Sequence, residues 1–159
     1  MLSILPFSSC RRHASAVLGL ILMLSGCSAN GPQFSDAQAA PDEALVYVYR
    51  PSAGTLRART AIIEAPPHAS VRLSNNGHVL LRLPPGPQRF SQVWAPWLAD
   101  SMPNDRPISQ QLDLQPGQRY FLRLSAWNRK DEKLIVIRWQ LEEVPAAQAL
   151  EEIAKTRRD

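Results

Sequence analysis

Ala44-Leu45-Val46-Tyr47-Val48-Tyr49-Arg50, stopped by Pro51, is the stretch whose reading decides the fold. Leu45, Tyr47 and Tyr49 fall on one alternating face, and Val46 and Val48 on the other. β-Branched and aromatic residues favour a pleated strand, and a strand apolar on both faces belongs in an interior rather than on a solvated sheet. Pro51 ends it, because proline has no N–H to give to a ladder.

Working outward towards the C-terminus, the same grammar repeats. A weaker run, Arg59 to Glu64, precedes the Pro66-Pro67 break. Val71 and Leu73 alternate into Asn75-Asn76-Gly77, a tight-turn signal that predicts a hairpin. His78 to Leu83 ends at Pro84-Pro85-Gly86, where proline and glycine suit the centre of a type II turn. Gln88 to Trp94 follows, then a loop, then Ile108, Leu112 and Leu114 on one alternating face. Gln115-Pro116-Gly117 leads into Arg119 to Trp127. A polar turn, Asn128 to Glu132, precedes Lys133 to Glu142, whose buried face is expected to hold Ile135, Ile137, Trp139 and Leu141. Short strands at this spacing predict a mainly β domain, a sandwich of about 7–8 antiparallel strands.

The tail changes period. Ala146, Ala149, Leu150 and Ile153 lie at i, i+3, i+4 and i+7 after Pro145, which predicts one C-terminal helix over about residues 145–157 docked on a sheet. Lys155 to Arg158 is then read as the charge-complemented end of that helix. Leu83-x-Pro85-Gly86-x-x-x-Phe90 is echoed by Leu114-x-Pro116-Gly117-x-x-x-Phe121, a repeat that duplication or hairpin grammar alone would produce.

Working towards the N-terminus, Ser28 to Glu43 is small, polar and without period, so residues 27–43 read as a tether ahead of a domain spanning 44–159. Residues 1–26 read as a secretory signal: Arg11-Arg12, an apolar run from Ala14 to Leu24, then Leu24-Ser25-Gly26 before Cys27. That run is far shorter than the ~20 residues of a spanning helix. Removing the segment takes away two of the 18 basic residues and none of the 14 acidic ones, so the mature charge is about +2. So small an excess argues against nucleic-acid binding, which needs concentrated cations on one face. Cys10 leaves with the signal, so no disulfide braces the domain.

Leu24-Ser25-Gly26-Cys27 resembles the bacterial lipobox: leucine, two small residues that admit a peptidase, and a thiol that accepts a diacylglyceryl group. The resemblance implies lipidation of Cys27, and Ser28 after it matches the outer-membrane sorting pattern of Gram-negative lipoproteins. Ala44-x-Val46-Tyr47-x-Tyr49-Arg50-Pro51, Pro84-Pro85-Gly86, Gly117-x-x-Tyr120-Phe121-Leu122-Arg123 and the helix together resemble a lipoprotein family known only as a domain of unknown function. The Pro-Pro-Gly strand is more loosely similar to PEGA-type sandwich repeats. These resemblances imply a β-sandwich on the periplasmic side of the cell envelope, with an envelope protein or peptidoglycan as partner, and they imply no reaction.

The residues themselves offer little chemistry. Neither His68 nor His78 stands near a Ser or Cys nucleophile motif, and no glycine-rich phosphate loop or metal-ligand spacing occurs. No catalytic, metal or cofactor residue is assigned, and the expectation is a non-enzyme. For binding, Trp94 and Trp97 flank Ala95-Pro96, and with Trp127 they suggest an aromatic platform for glycan, peptidoglycan or a protein. The competing expectation is that Trp94 caps the core and Trp97 anchors its loop. Arg50, at the end of an apolar strand, needs a partner: a buried carboxylate such as Asp113 or Glu142, or an anionic envelope group.

Overall fold

A computed structural model describes residues 28–96, 107–131 and 134–159. The stretch read as a signal, residues 1–26, lies outside the described residues, as do Cys27 and Trp97. The described chain forms β1 (Ala44–Arg50), β2 (Ala61–Ala65), β3 (Ala69–Leu73), β4 (Gly77–Leu83) and β5 (Gly86–Trp94). It continues through β6 (Ile108–Leu114), β7 (Arg119–Asp131), β8 (Leu134–Glu143), helix α1 (Ala146–Ile153) and β9 (Arg157–Arg158). The strands build one sheet in the order β8-β7-β1-β4-β9 and a second in the order β3-β2-β5-β6, packed as a sandwich. The expected fold class holds. The pairing is not wholly antiparallel, however: β1 runs parallel to β7, and β4 parallel to β9.

All seven residues of β1 are buried, and the reason is a third layer. Val46 and Val48 face the inter-sheet core with Ile63, Leu73, Phe90, Leu122 and Leu124. Leu45, Tyr47 and Tyr49 face a second core roofed by α1, with Phe121, Val144, Ala149 and Ile153. Tyr47 stacks on Phe121 with ring centroids 5.3 Å apart. Full burial of one large apolar side chain contributes roughly 1.5–3 kcal/mol, so both cores stabilise the described domain, which contains no cysteine.

The N-terminal stretch supplies the rest of that roof. Expected as a flexible coil, residues 28–43 instead lie against the domain. Ser28 bridges Asn75, and Gln33 bridges Arg157. The Gly31 N–H donates to Arg158 O at 3.1 Å, and Arg158 N–H donates to Pro32 O at 2.9 Å. Phe34, the one large apolar residue of the stretch, packs edge-on against Tyr47 and His78. Asp36 pairs with Arg119. The segment is polar because its outer side meets water; a few anchors hold its inner side.

The turn signals do different work from the one expected. β3 and β4 belong to different sheets, so Asn75-Asn76-Gly77 crosses between sheets instead of closing a hairpin. Asn76 takes the left-handed conformation (φ 57°), and a side chain on Gly77 would collide with Asp159. Pro66-Pro67, read as a break, turns the β2–β3 hairpin. Both Pro-Gly turns also cross between sheets, with Gly86 and Gly117 at positive φ. The two echoed units are not equivalent in packing: Phe90 enters the inter-sheet core, whereas Phe121 enters the core beneath the helix.

The helix is shorter than expected. It ends at Ile153, and the residues read as its basic terminus form a turn and β9, which pairs with the edge of β4. Thr156 makes the switch: its hydroxyl donates to Ile153 O at 2.7 Å and meets His78 Nδ1 at 2.8 Å. The face expected to be buried on β8 is correct only in its inner half. Leu141 is buried and Trp139 partly so, but Ile135 is 72% exposed, because β7 and β8 outrun the sandwich.

Candidate functional site

Arg50 closes the end of the inter-sheet core. It is 1% exposed, and among the described residues no carboxylate forms an ion pair with it. Its Nη1 donates to Arg59 O and its Nη2 to Leu56 O, each at 2.6 Å. The two carbonyls come from the β1–β2 connection, where Leu56 adopts a left-handed backbone (φ 56°). Burial pulls the Arg50 guanidinium down to about 10, against a small opposing effect of Asp159. The expected pairing with Asp113 or Glu142 is therefore corrected. Glu142 is held by Arg123 at 2.8 Å, and the Asp113 carboxylate accepts from Gln115 at 3.1 Å. Carbonyl oxygens along the loop serve Arg50 because its alternating position aims it between the sheets, towards the β1–β2 connection.

Trp94 belongs to the same cluster. The Arg50 Cζ lies 5.1 Å from its ring centroid and the Arg59 Cζ 5.5 Å, and Trp139 packs edge-on at 6.0 Å. Trp94 is 7% exposed and packs in the inter-sheet core. Trp97 lies outside the described residues. Trp127 is the exposed member of the set, at 41%.

Trp127 stands on the hairpin formed by β7 and β8, whose ladder runs from Leu122↔Glu143 to Asp131↔Leu134. β1 accompanies β7 only as far as Tyr49↔Arg123. Beyond the Trp94–Trp139 contact, five pairs project without a neighbouring strand, from Trp127↔Arg138 to Asp131↔Leu134. They carry Arg129, Lys130, Leu134 and Ile135, the last two more than 70% exposed. A continuous apolar run, Leu134-Ile135-Val136-Ile137, lies along the β8 side.

A polar cluster that sequence reasoning missed lies at the base of this arm. Arg123 binds Glu142 and, at 2.7 Å, Glu152 of α1. Tyr49 donates to Glu152 at 2.8 Å, and Gln148 donates to the same carboxylate at 2.9 Å. Burial alone would raise the Glu152 carboxyl, but the hydrogen bonds from Gln148, Tyr49 and Arg123 outweigh it and hold it below the ordinary range. Burial and Glu152 together push the Tyr49 hydroxyl well above its ordinary value. A cleft of about 400 Å³ opens beside the cluster, lined by Pro51, Ser52, Ser125, Lys155 and Thr156. Arg123 belongs to the Gly117–Arg123 motif, yet no sequence spacing reveals that it meets a helix 29 residues later.

The Glu142 and Glu152 carboxylates are thus committed to ion pairs with Arg123 that tie β7 to β8 and to the helix. Among the described residues no group of three His, Cys, Asp or Glu side chains is placed to hold a metal ion. Comparison with protein-family models finds no match for this chain, and none is found among curated proteins.

Proposed function

We propose that this protein is a lipid-anchored, non-catalytic cell-envelope module, held through Cys27 on the periplasmic side of the outer membrane, where it serves as an interaction or accessory domain. The observation that carries this reading is Leu24-Ser25-Gly26-Cys27 behind a short apolar run and a basic pair. At about 0.8 kcal/mol per buried methylene, two or more acyl chains hold a protein on a bilayer for cellular times. The glycan-binding alternative depends on Trp94 and Trp97 acting together, and enclosure of Trp94 by two arginines and Trp139 weighs against it.

Metabolic labelling with palmitate tests the anchor. The wild-type chain takes up label and stays with membranes through a high-salt wash. Cys27→Ala takes up none and washes off, while its circular dichroism remains that of a β-sandwich. An unlabelled wild-type chain overturns the reading.

A further inference from the structure

The projecting part of the β7–β8 hairpin faces the end of the molecule at which Ser28 docks. Arg50 pairs with Gly77, and β7 runs parallel to β1, so β7 leaves the sheet at the Arg50 end. Asn75 lies two residues before Gly77, at that same end, and it is the partner of Ser28, the residue after Cys27. Ala29 N–H also donates to Asn75 O at 3.1 Å. The strands between them, β1 and β4, separate the arm from this contact by only a few inter-strand spacings of about 4.8 Å.

The composition of the arm identifies its surroundings. A hairpin in water alternates apolar and polar residues, because only one of its faces is covered. Here Leu134 and Val136 point to one side of β8, and Ile135 and Ile137 to the other. The five pairs make about 14 Å of ribbon on which Leu134 and Ile135, on opposite faces, are both exposed, while Val136 and Ile137 are half-buried. A protein partner packed on one face would leave either Leu134 or Ile135 in water. A medium that surrounds the ribbon covers both. Trp127 and the long cations Arg129, Lys130 and Arg138 are the residue types that settle at the boundary between acyl chains and headgroups. Lys130 stands opposite Ile135, and Arg138 opposite Trp127, so each cation flanks apolar surface.

We infer that the β7–β8 hairpin is a second membrane contact, inserting Leu134 and Ile135 into the interfacial region of an anionic bilayer while Arg129, Lys130 and Arg138 meet lipid phosphates. The inference rests on the anchor reading for its biological setting. Together, lipid and hairpin fix the domain's orientation, where a lipid alone leaves it free to rotate.

The test uses the full mature chain, purified from membranes and reconstituted in vesicles of phosphatidylethanolamine with phosphatidylglycerol. An environment-sensitive fluorophore is placed at Ile135→Cys, and in a control at Gln118→Cys, exposed at the opposite end of β7. The expected result is a blue-shifted emission at 135, quenched by spin-labelled lipid, with the 118 label remaining in water. Replacing Arg129, Lys130 and Arg138 by glutamine lowers the ratio of inserted to water-exposed label by about fivefold per cation. Mass spectrometry of the same sample reads the lipid on Cys27 independently. An unmodified Cys27 removes the anchor reading, and the hairpin is then decided by adding the same vesicles to the labelled chain. A label at 135 that stays in water, or shifts with protein concentration in the absence of vesicles, overturns the inference; the second result assigns the arm to a second copy of the chain.

Discussion

Arg50 illustrates how backbone carbonyls and an aromatic face accommodate a buried charge. Its two terminal nitrogens satisfy two loop carbonyls and its plane lies near the Trp94 ring. Hydrogen bonds to a charged group contribute roughly 1.5–3 kcal/mol each, so Arg50→Ala should cost about 3 kcal/mol or more, with Leu56 and Arg59 carbonyls left unmet. Lysine has one compact head and cannot span both carbonyls; Arg50→Lys should cost about 2 kcal/mol. Urea unfolding checks both, as a lowered midpoint at unchanged slope. That Arg50 required a partner was legible from an arginine at the end of an apolar strand. Which partner was not, because the path of residues 51–60 decides it. His78 makes a different prediction. Its ring is buried against Phe34 and Thr156, and burial, with Arg158 and against Asp159, holds it below its ordinary 6.5. The unfolded chain then takes up the proton first, so this stability is complete above pH 6.5 and is lost as pH falls through the folded value. Thermal melts between pH 8 and 5 should show the decline, and His78→Gln should flatten it.

At the scale of elements, periodicity located strands and helix well because each has a face whose burial repeats at 2 or 3.6 residues. It did not show where the covering layer stops. Leu141 and Ile135 occupy the same face of one strand, yet one packs under Leu124 and the other projects past the last neighbour. Turn chemistry was equally local: Asn75-Asn76-Gly77 and the Pro-Gly pairs fix backbone angles, and those angles serve a crossing between sheets as well as a hairpin. The Arg123–Glu142–Glu152 cluster was hidden for the same reason, since its members come from three elements. The contrast between arm and core is measurable. Ile153→Ala, at a fully buried position under the roof, should cost about 2–5 kcal/mol. Ile135→Ala should stay within about 0.5 kcal/mol. Denaturation of the two variants side by side tests whether the arm is folded scaffold or spare surface.

For the whole molecule, the governing fact is that β1 is covered twice. A two-layer sandwich needs an apolar face on each strand; this chain adds α1 and residues 28–43 above the five-stranded sheet, and Tyr47 links them. Its hydroxyl meets Asp36, the Ala37 N–H donates to it at 2.8 Å, and its ring sits between Phe34 and Phe121. That arrangement gives the docked segment a mechanical meaning. A pull at residue 27 is borne first by the contacts of Ser28 and Ala29 with Asn75 and by the short ladder to Arg157 and Arg158, all of them at an edge. Edge bonds peel one at a time, whereas the β1 ladders between β4 and β7 must shear together. Sixteen residues paid out at about 3.4 Å each make a leash of roughly 55 Å. Stretching the chain from its N-terminus should therefore give a weak first extension of about that length before the sandwich yields, and Phe34→Ala should weaken it further. Docked, the segment keeps the N-terminal chain short; under load it would lengthen without unfolding what it carries.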